Sequence, residues 1–168
     1  MRWISSAGGP LVLLPLDSVA DWQGNANGDG APSDYDVACA AEGYTNALVL
    51  RNMRVLVFND EPFQTAFFRD ATGAFFVRWM YAPGQPEVDA ALAVMRGRLG
   101  PAVEAVEFHA DTPDLVLMDA AEQGTGPPLG DRLSLHLEAA SYKVSTHIYK
   151  PSSEVALLIH AFSRRPSP

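Results

Sequence analysis

Thr45-Asn46-Ala47-Leu48-Val49-Leu50-Arg51-Asn52-Met53-Arg54-Val55-Leu56-Val57-Phe58 decides the fold. Two runs of apolar and β-branched residues flank Arg51-Asn52, so the stretch reads as a hairpin with strands over Thr45–Leu50 and Arg54–Phe58. The same punctuation continues on both sides. Tyr35–Ala41, Thr65–Arg69 and Ala74–Tyr81 complete a first strand group, with breaks at Glu42-Gly43, Asn59 to Pro62 and Asp70 to Gly73. Short strands joined by turns this tight specify an antiparallel meander, because a parallel pair needs a crossover of roughly a dozen residues or more.

Downstream, Pro86–Leu99 reads as the main helix. Pro86 suits the first turn, Glu87 and Asp89 complement the positive end of the dipole, Arg96 and Arg98 the negative end, and Gly100-Pro101 stops it. Val88, Leu92, Met95 and Leu99 form a stripe that should lie across the sheet. Strands then resume at Val103–His109, Leu115–Ala120, Leu133–Leu137, Tyr142–Tyr149 and Glu154–Phe162, ahead of a frayed tail over Ser163–Pro168. In Leu133, Leu135 and Leu137 against Ser134, His136 and Glu138 the alternation marks one packed and one wet face. The expected fold is α+β, mainly antiparallel β-sheet with one main α-helix packed on it. One domain spans 1–168, and its two strand groups, about 1–100 and 101–168, meet near Gly100-Pro101.

Upstream of the meander, Leu11–Leu14 is a continuous apolar run between prolines, the pattern of a short strand covered on both faces. Gly8 and Gly9 tolerate positive φ, and Pro10 sets the angle of entry. A phosphate cradle would need a Lys-Ser or Lys-Thr after the glycines, which is absent. A secretory signal is contradicted by Ser5, Ser6, Gly8, Gly9, Pro10 and Pro15 inside the apolar stretch and by Asp17 at the cleavage region. No run approaches the roughly 20 apolar residues that cross a bilayer. The net charge of -8 repels nucleic acid and anionic membranes and draws basic partners. Cys39 is the single cysteine, which excludes an internal disulfide and fits a reducing cytosol.

Residues that could carry chemistry are few. Asn25, Asn27, Asp29, Gly30, Ser33 and Asp36 imitate a calcium loop, but Asn25 stands at the first position and no bidentate glutamate closes it. Asp34 and Asp36, two apart, would share one strand face, a geometry a metal site could use, but with no third ligand evident they read as a surface pair, and His136, His147 and His160 lie on separate strands as rim or surface histidines. Cys39 sits among Ala38, Ala40 and Ala41 with no adjacent base, a buried packing residue. Trp79 is expected in the sheet-helix core with Phe75 and Val77 on its side. Trp22, by contrast, stands in a polar loop with Asp17, Asp21, Asp29, Asp34 and Asp36 around it, and Asp60-Glu61 occupy a turn. Long loops in small domains are often functional, so Trp22, Asp29, Asp34, Asp36, Asp60 and Glu61 form the candidate binding set.

The opening Trp3, Ser6-Ala7-Gly8-Gly9-Pro10 and the apolar run behind them resemble the immunity protein 21 family of bacterial polymorphic toxin systems. Asp34-Tyr35-Asp36 with Ala38-Cys39, Asp60-Glu61-Pro62 and Val77-Arg78-Trp79-x-Tyr81-Ala82 extend the resemblance. Two positions depart from the family pattern: Val37 stands where a basic residue is common, and Ala140-Ser141 where a glycine commonly precedes the Tyr142 strand. The resemblance implies a non-enzymatic cytoplasmic protein without cofactor, which binds a cognate toxin domain and occludes its working cleft. A basic, nucleic-acid-targeting toxin would suit the acidic charge. The residues themselves leave two alternatives, a small metal-dependent hydrolase built on Asp34, Asp36 and the histidines, and a regulatory binding module unrelated to toxins. No Gly-x-Ser-x-Gly, His-Glu-x-x-His or Cys-x-x-Cys signature supports an enzyme.

Overall fold

Two antiparallel sheets face each other in the computed structural model, which describes residues 1–26, 30–59, 61–95 and 98–166. The six-stranded sheet has the order β1 (Trp3–Ile4), β5 (Thr65–Asp70), β6 (Gly73–Tyr81), β11 (Ala156–Arg164), β10 (Ala140–Tyr149), β7 (Glu104–Ala110). The five-stranded sheet runs β3 (Thr45–Leu50), β4 (Met53–Phe58), β2 (Leu11–Pro15), β8 (Asp114–Asp119), β9 (Leu133–His136). Each sheet takes strands from both sides of Gly100-Pro101, so the two strand groups of the sequence are interleaved rather than stacked as separate lobes.

Period-two alternation builds the layers. Leu11, Leu13, Leu56, Phe58, Leu115 and Leu117 of one sheet meet Ile4, Phe76, Phe108, Val144 and Phe162 of the other in the central core. The alternate residues Val12, Leu14, Val55, Val57, Val116 and Met118 face outward, yet they are buried as well. A 3-10 turn at Leu16–Asp21 and the short helix α1 (Asp34–Cys39) cover them with Val19, Trp22 and Ala38. On the far side, helix α2 (Gln85–Met95) lays Val88, Ala91 and Met95 on Phe75, Val77, Leu157 and Ile159. β2 lies between β4 and β8 with both faces covered, as its unbroken apolar run requires.

Several expectations are corrected. Tyr35–Ala41 is not a strand, because Ser33 opens a helix there: its hydroxyl accepts Asp36 N–H while the Asp36 carboxylate accepts Ser33 N–H, the reciprocal capping box. Ser33-x-x-Asp36 was the signal, and the Tyr35/Val37 alternation concealed it. Arg164 and Ser163 continue β11 rather than fray, paired with Tyr142 and Lys143. Trp79 does share its face with Phe75 and Val77, but it is only half-buried, edge-on to Trp3 at a ring separation of 5.7 Å. Arg96 lies outside the described residues.

Candidate partner-binding surface

Of the candidate set, Trp22 is corrected most sharply. It is 1% exposed, wedged beneath the five-stranded sheet, and its indole Nε1 donates to Ala120 O at 3.0 Å. Asp34 is buried too. One of its oxygens accepts Gln23 N–H at 2.7 Å and the other pairs with the Arg51 guanidinium, so it ties α1 to the 3-10 turn and to the β3–β4 hairpin. Asp36 is exposed and held by Ser33, whose two hydrogen bonds push its carboxyl below the usual range. Glu61 is exposed; Asp29 and Asp60 lie outside the described residues. The remaining exposed carboxylates of this layer are Asp17, Asp21 and Glu42. From Asp17 to Tyr44 the chain has carboxylates at 17, 21, 29, 34, 36 and 42 and no lysine or arginine, against a net -8 overall.

A second polar grouping lies at one end of the central core, where the inward rows of β6, β10, β11 and β3 end in Arg78, Thr146, His160 and Thr45. All four are 0–1% exposed. Arg78 donates to the carbonyls of Asn59 and Glu61 and sits 5.7 Å over the Phe63 ring. His160 Nδ1 is 2.9 Å from the Thr146 hydroxyl, which lies 3.4 Å from that of Thr45. Burial, with Arg78 and His147 adding positive charge, holds the His160 imidazole well below its ordinary pKa. It is therefore a neutral core residue, not the rim histidine expected. From Thr45 the hydrogen bonds continue to Glu104, which reaches the surface at a cleft of about 390 Å³ lined by Gly43, Tyr44, Asn59 and Glu104.

The residues quoted from the opening and from α1 come together on the acidic side. Ala7 N–H donates to Asp119 Oδ2 at 2.5 Å, and Ser6 Oγ donates to Gly9 O at 2.6 Å. Gly8 takes φ 129°, a conformation that favours glycine, and a Cβ on Gly9 would stand 2.5 Å from the Tyr35 ring, which packs against the bare backbone there. Tyr35 in turn hydrogen-bonds Cys39, which is exposed rather than buried, and this raises the phenol pKa. The family model described as Immunity protein 21 matches residues 2–155, nearly the whole of this framework. The chain belongs to the immunity protein 21 family. No curated protein and no solved structure matches it. Membership implies an immunity role, with a cognate toxin as partner.

In this immunity protein Asp34 and Asp36 do not form a metal pair. They point to different partners on a helix, and among the described residues no group of three or more His, Cys, Asp or Glu side chains could hold a metal ion. His136 is an exposed neighbour of Asp114, and His147 Nδ1 lies 2.8 Å from Gly100 O. Sequence reading missed Arg78, Glu104, Thr146 and His160 as a connected group. For Arg78 a signal existed: it has the same parity as Ala74 and Phe76 in a strand whose other face is Phe75, Val77 and Trp79. Nothing in the sequence alone places Glu104 beside Thr45, 59 residues away.

Proposed function

We propose that this immunity protein neutralises its cognate toxin by direct binding in the cytoplasm of the bacterial cell that makes the toxin, covering the toxin's working cleft. The observation that carries this reading is the uneven charge: from Asp17 to Tyr44 the chain has no lysine or arginine and exposes Asp17, Asp21, Asp36 and Glu42. Opposite charge accelerates encounter and screens out like-charged partners, while affinity comes from the surface that is finally buried. Toxins that act on nucleic acids carry basic clefts suited to phosphate, and an acidic inhibitor competes for the same ground. Trp22 and Asp34 now serve as scaffold behind this surface. Asp17, Asp21, Asp36, Glu42 and Glu61 are its exposed carboxylates, with Asp29 and Asp60 in the same segments.

Binding kinetics against the co-encoded toxin domain at two salt concentrations test it. Asp17→Asn, Asp21→Asn and Asp36→Asn combined should slow association and flatten its salt dependence while leaving the melting curve nearly unchanged. Unaltered association in that variant moves the interface away from this face. Absence of any binding by the unmodified protein would overturn direct neutralisation itself.

A further inference from the structure

We propose that β3 is a pairing edge at which two copies of this chain join antiparallel, merging their five-stranded sheets into one continuous sheet. This contact uses the strand rather than the acidic segment before it, and it is independent of toxin binding.

The two sheets end in the edge strands β1, β7, β3 and β9, and all but β3 are guarded. β1 and β9 have only two and four residues. The part of β5 that β1 leaves uncovered carries Arg69 and Asp70, and β7 carries Glu104, Glu107 and His109. Short or charged edges discourage pairing with a second chain. β3 has six residues, Thr45-Asn46-Ala47-Leu48-Val49-Leu50, with no charge, no proline and no shift of register against β4. Val49, 69% exposed, is the most exposed large apolar side chain among the described residues.

The hairpin turn fixes which groups of β3 are free. Arg51 and Asn52 take φ 47° and 68°, the positive pair of a two-residue type I′ turn, so Leu50 and Met53 exchange hydrogen bonds. By alternation Asn46 and Leu48 also bond β4, while Thr45, Ala47 and Val49 turn their N–H and C=O outward. Asn59 N–H on Tyr44 O and Thr45 N–H on Glu104 Oε1 agree with this parity. Ala47 and Val49 therefore each offer a donor and an acceptor to the open side. They also line a cleft of about 240 Å³ between β3 and β7, against the buried Phe108. Arg54 and Glu107 at that cleft are already paired with Asp111 and Arg165, so an apolar side chain enters without stranding a charge.

A two-fold axis at Leu48 sets Val49 of each copy opposite Ala47 of the other, with reciprocal N–H···O=C bonds. Residues directly opposite share a face, so each Val49 enters the mouth of the other copy's cleft. Thr45, whose N–H Glu104 already holds, falls opposite Arg51 and gives up nothing. The antiparallel sense brings the Arg51 end of each strand to the Glu42 and Glu104 end of the other, whereas parallel pairing would stack Glu42 on Glu42. A second copy thus supplies apolar knob, edge and matching charge from one segment.

Each copy carries a net charge of -8 and the contact is one strand wide, so the dimer is a weak one. Sedimentation velocity on the full chain, from about 10 µM to about 1 mM at about 0.15 M salt, should show a reversible dimer that grows with concentration. Val49→Lys puts an ammonium at the mouth of each apolar cleft and should raise the dissociation constant at least about tenfold, with the melting curve nearly unchanged. Amide hydrogen exchange gives a second readout: Ala47 and Val49 should exchange freely in dilute solution and be protected in concentrated solution, while Leu48, bonded to β4, is protected in both. Should Val49→Lys unfold, that pattern in the unmodified chain decides alone. A monomer at every concentration overturns the pairing. So does a dimer that Val49→Lys leaves intact, or one in which Ala47 and Val49 still exchange freely. If the unmodified chain stays monomeric and the co-encoded toxin domain protects those two amides instead, the edge takes an extended segment of the toxin and self-pairing fails.

Discussion

The Trp22 indole N–H donates to the main-chain carbonyl of Ala120 across 3.0 Å, joining the end of the 3-10 turn to the residue that follows β8. Both groups are buried, so the bond has no water to fall back on. Trp22→Phe keeps most of the apolar volume and strands the Ala120 carbonyl. A stability loss of about 1–3 kcal/mol is expected, against about 3–5 kcal/mol for Trp22→Ala. Urea unfolding monitored by fluorescence of the other two tryptophans measures both. A loss near zero in both variants would return Trp22 to the surface.

Asp34 and Asp36 should separate in the same experiment. Asp34→Ala leaves Gln23 N–H without its acceptor and Arg51 without its partner, and is expected to cost about 1–3 kcal/mol. Asp36 is exposed, and Asp36→Asn should leave the unfolding midpoint close to that of the unmodified chain, since an asparagine oxygen can still accept from Ser33. The two variants differing in this order supports α1 as drawn, whereas a strand would treat them alike.

How much of this was legible follows from where the information sits. Strand positions from Thr45 onward are local, written in alternation and turn residues, and they fell within a residue or two of their observed places at nearly every element. The α1 region misled because its capping box spans Ser33 to Asp36 and competes with an equally local alternation at Tyr35 and Val37. Trp22 misled for a different reason. Its neighbours in sequence are polar, but its neighbours in space are Val12, Val116 and Ala120 from distant strands, and only the assembled sheet reveals them. The His160–Thr146–Thr45–Glu104 chain is wholly non-local, four strands contributing one residue each.

His160 sets a pH dependence whose sign is fixed. Its folded pKa is depressed from 6.5 by burial, then by Arg78 and His147, while the unfolded chain titrates at the ordinary value. Below 6.5 the unfolded state binds a proton that the folded state refuses, so this contribution to stability is complete above 6.5 and is lost progressively as pH falls. His160→Gln, which cannot take that proton, should flatten the decline between pH 7 and about pH 5. Urea midpoints at four pH values decide this, and parallel curves for the two proteins would remove His160 as the cause.

Glu122 is 0% exposed and pairs with the Arg132 guanidinium, with Leu129 N–H on its other oxygen at 3.2 Å. Arg132→Met removes the countercharge but not the buried carboxylate, and a loss of about 3–5 kcal/mol is expected. The double variant Glu122→Gln with Arg132→Met should recover part of that loss, because the uncompensated charge is gone. Additive losses in the thermal melts would show that the pair contributes packing alone.

Cys39 is exposed, so its thiol should react to completion with Ellman's reagent in native buffer, before any unfolding. Labelling only after urea is added would place it back in the packed layer. The modified protein should keep its melting curve, since Ala38 and not Cys39 faces the sheet.

The position of β11 between β6 and β10 makes completion of the six-stranded sheet a long-range event. Val77 of β6 must find Ile159 of β11 across most of the intervening chain, and pairings of such separation carry a large loop-closure cost and form slowly. Until they form, β6 and β11 each present an open edge, and an open edge is where a folding chain is drawn into pairing with a second copy instead of with itself.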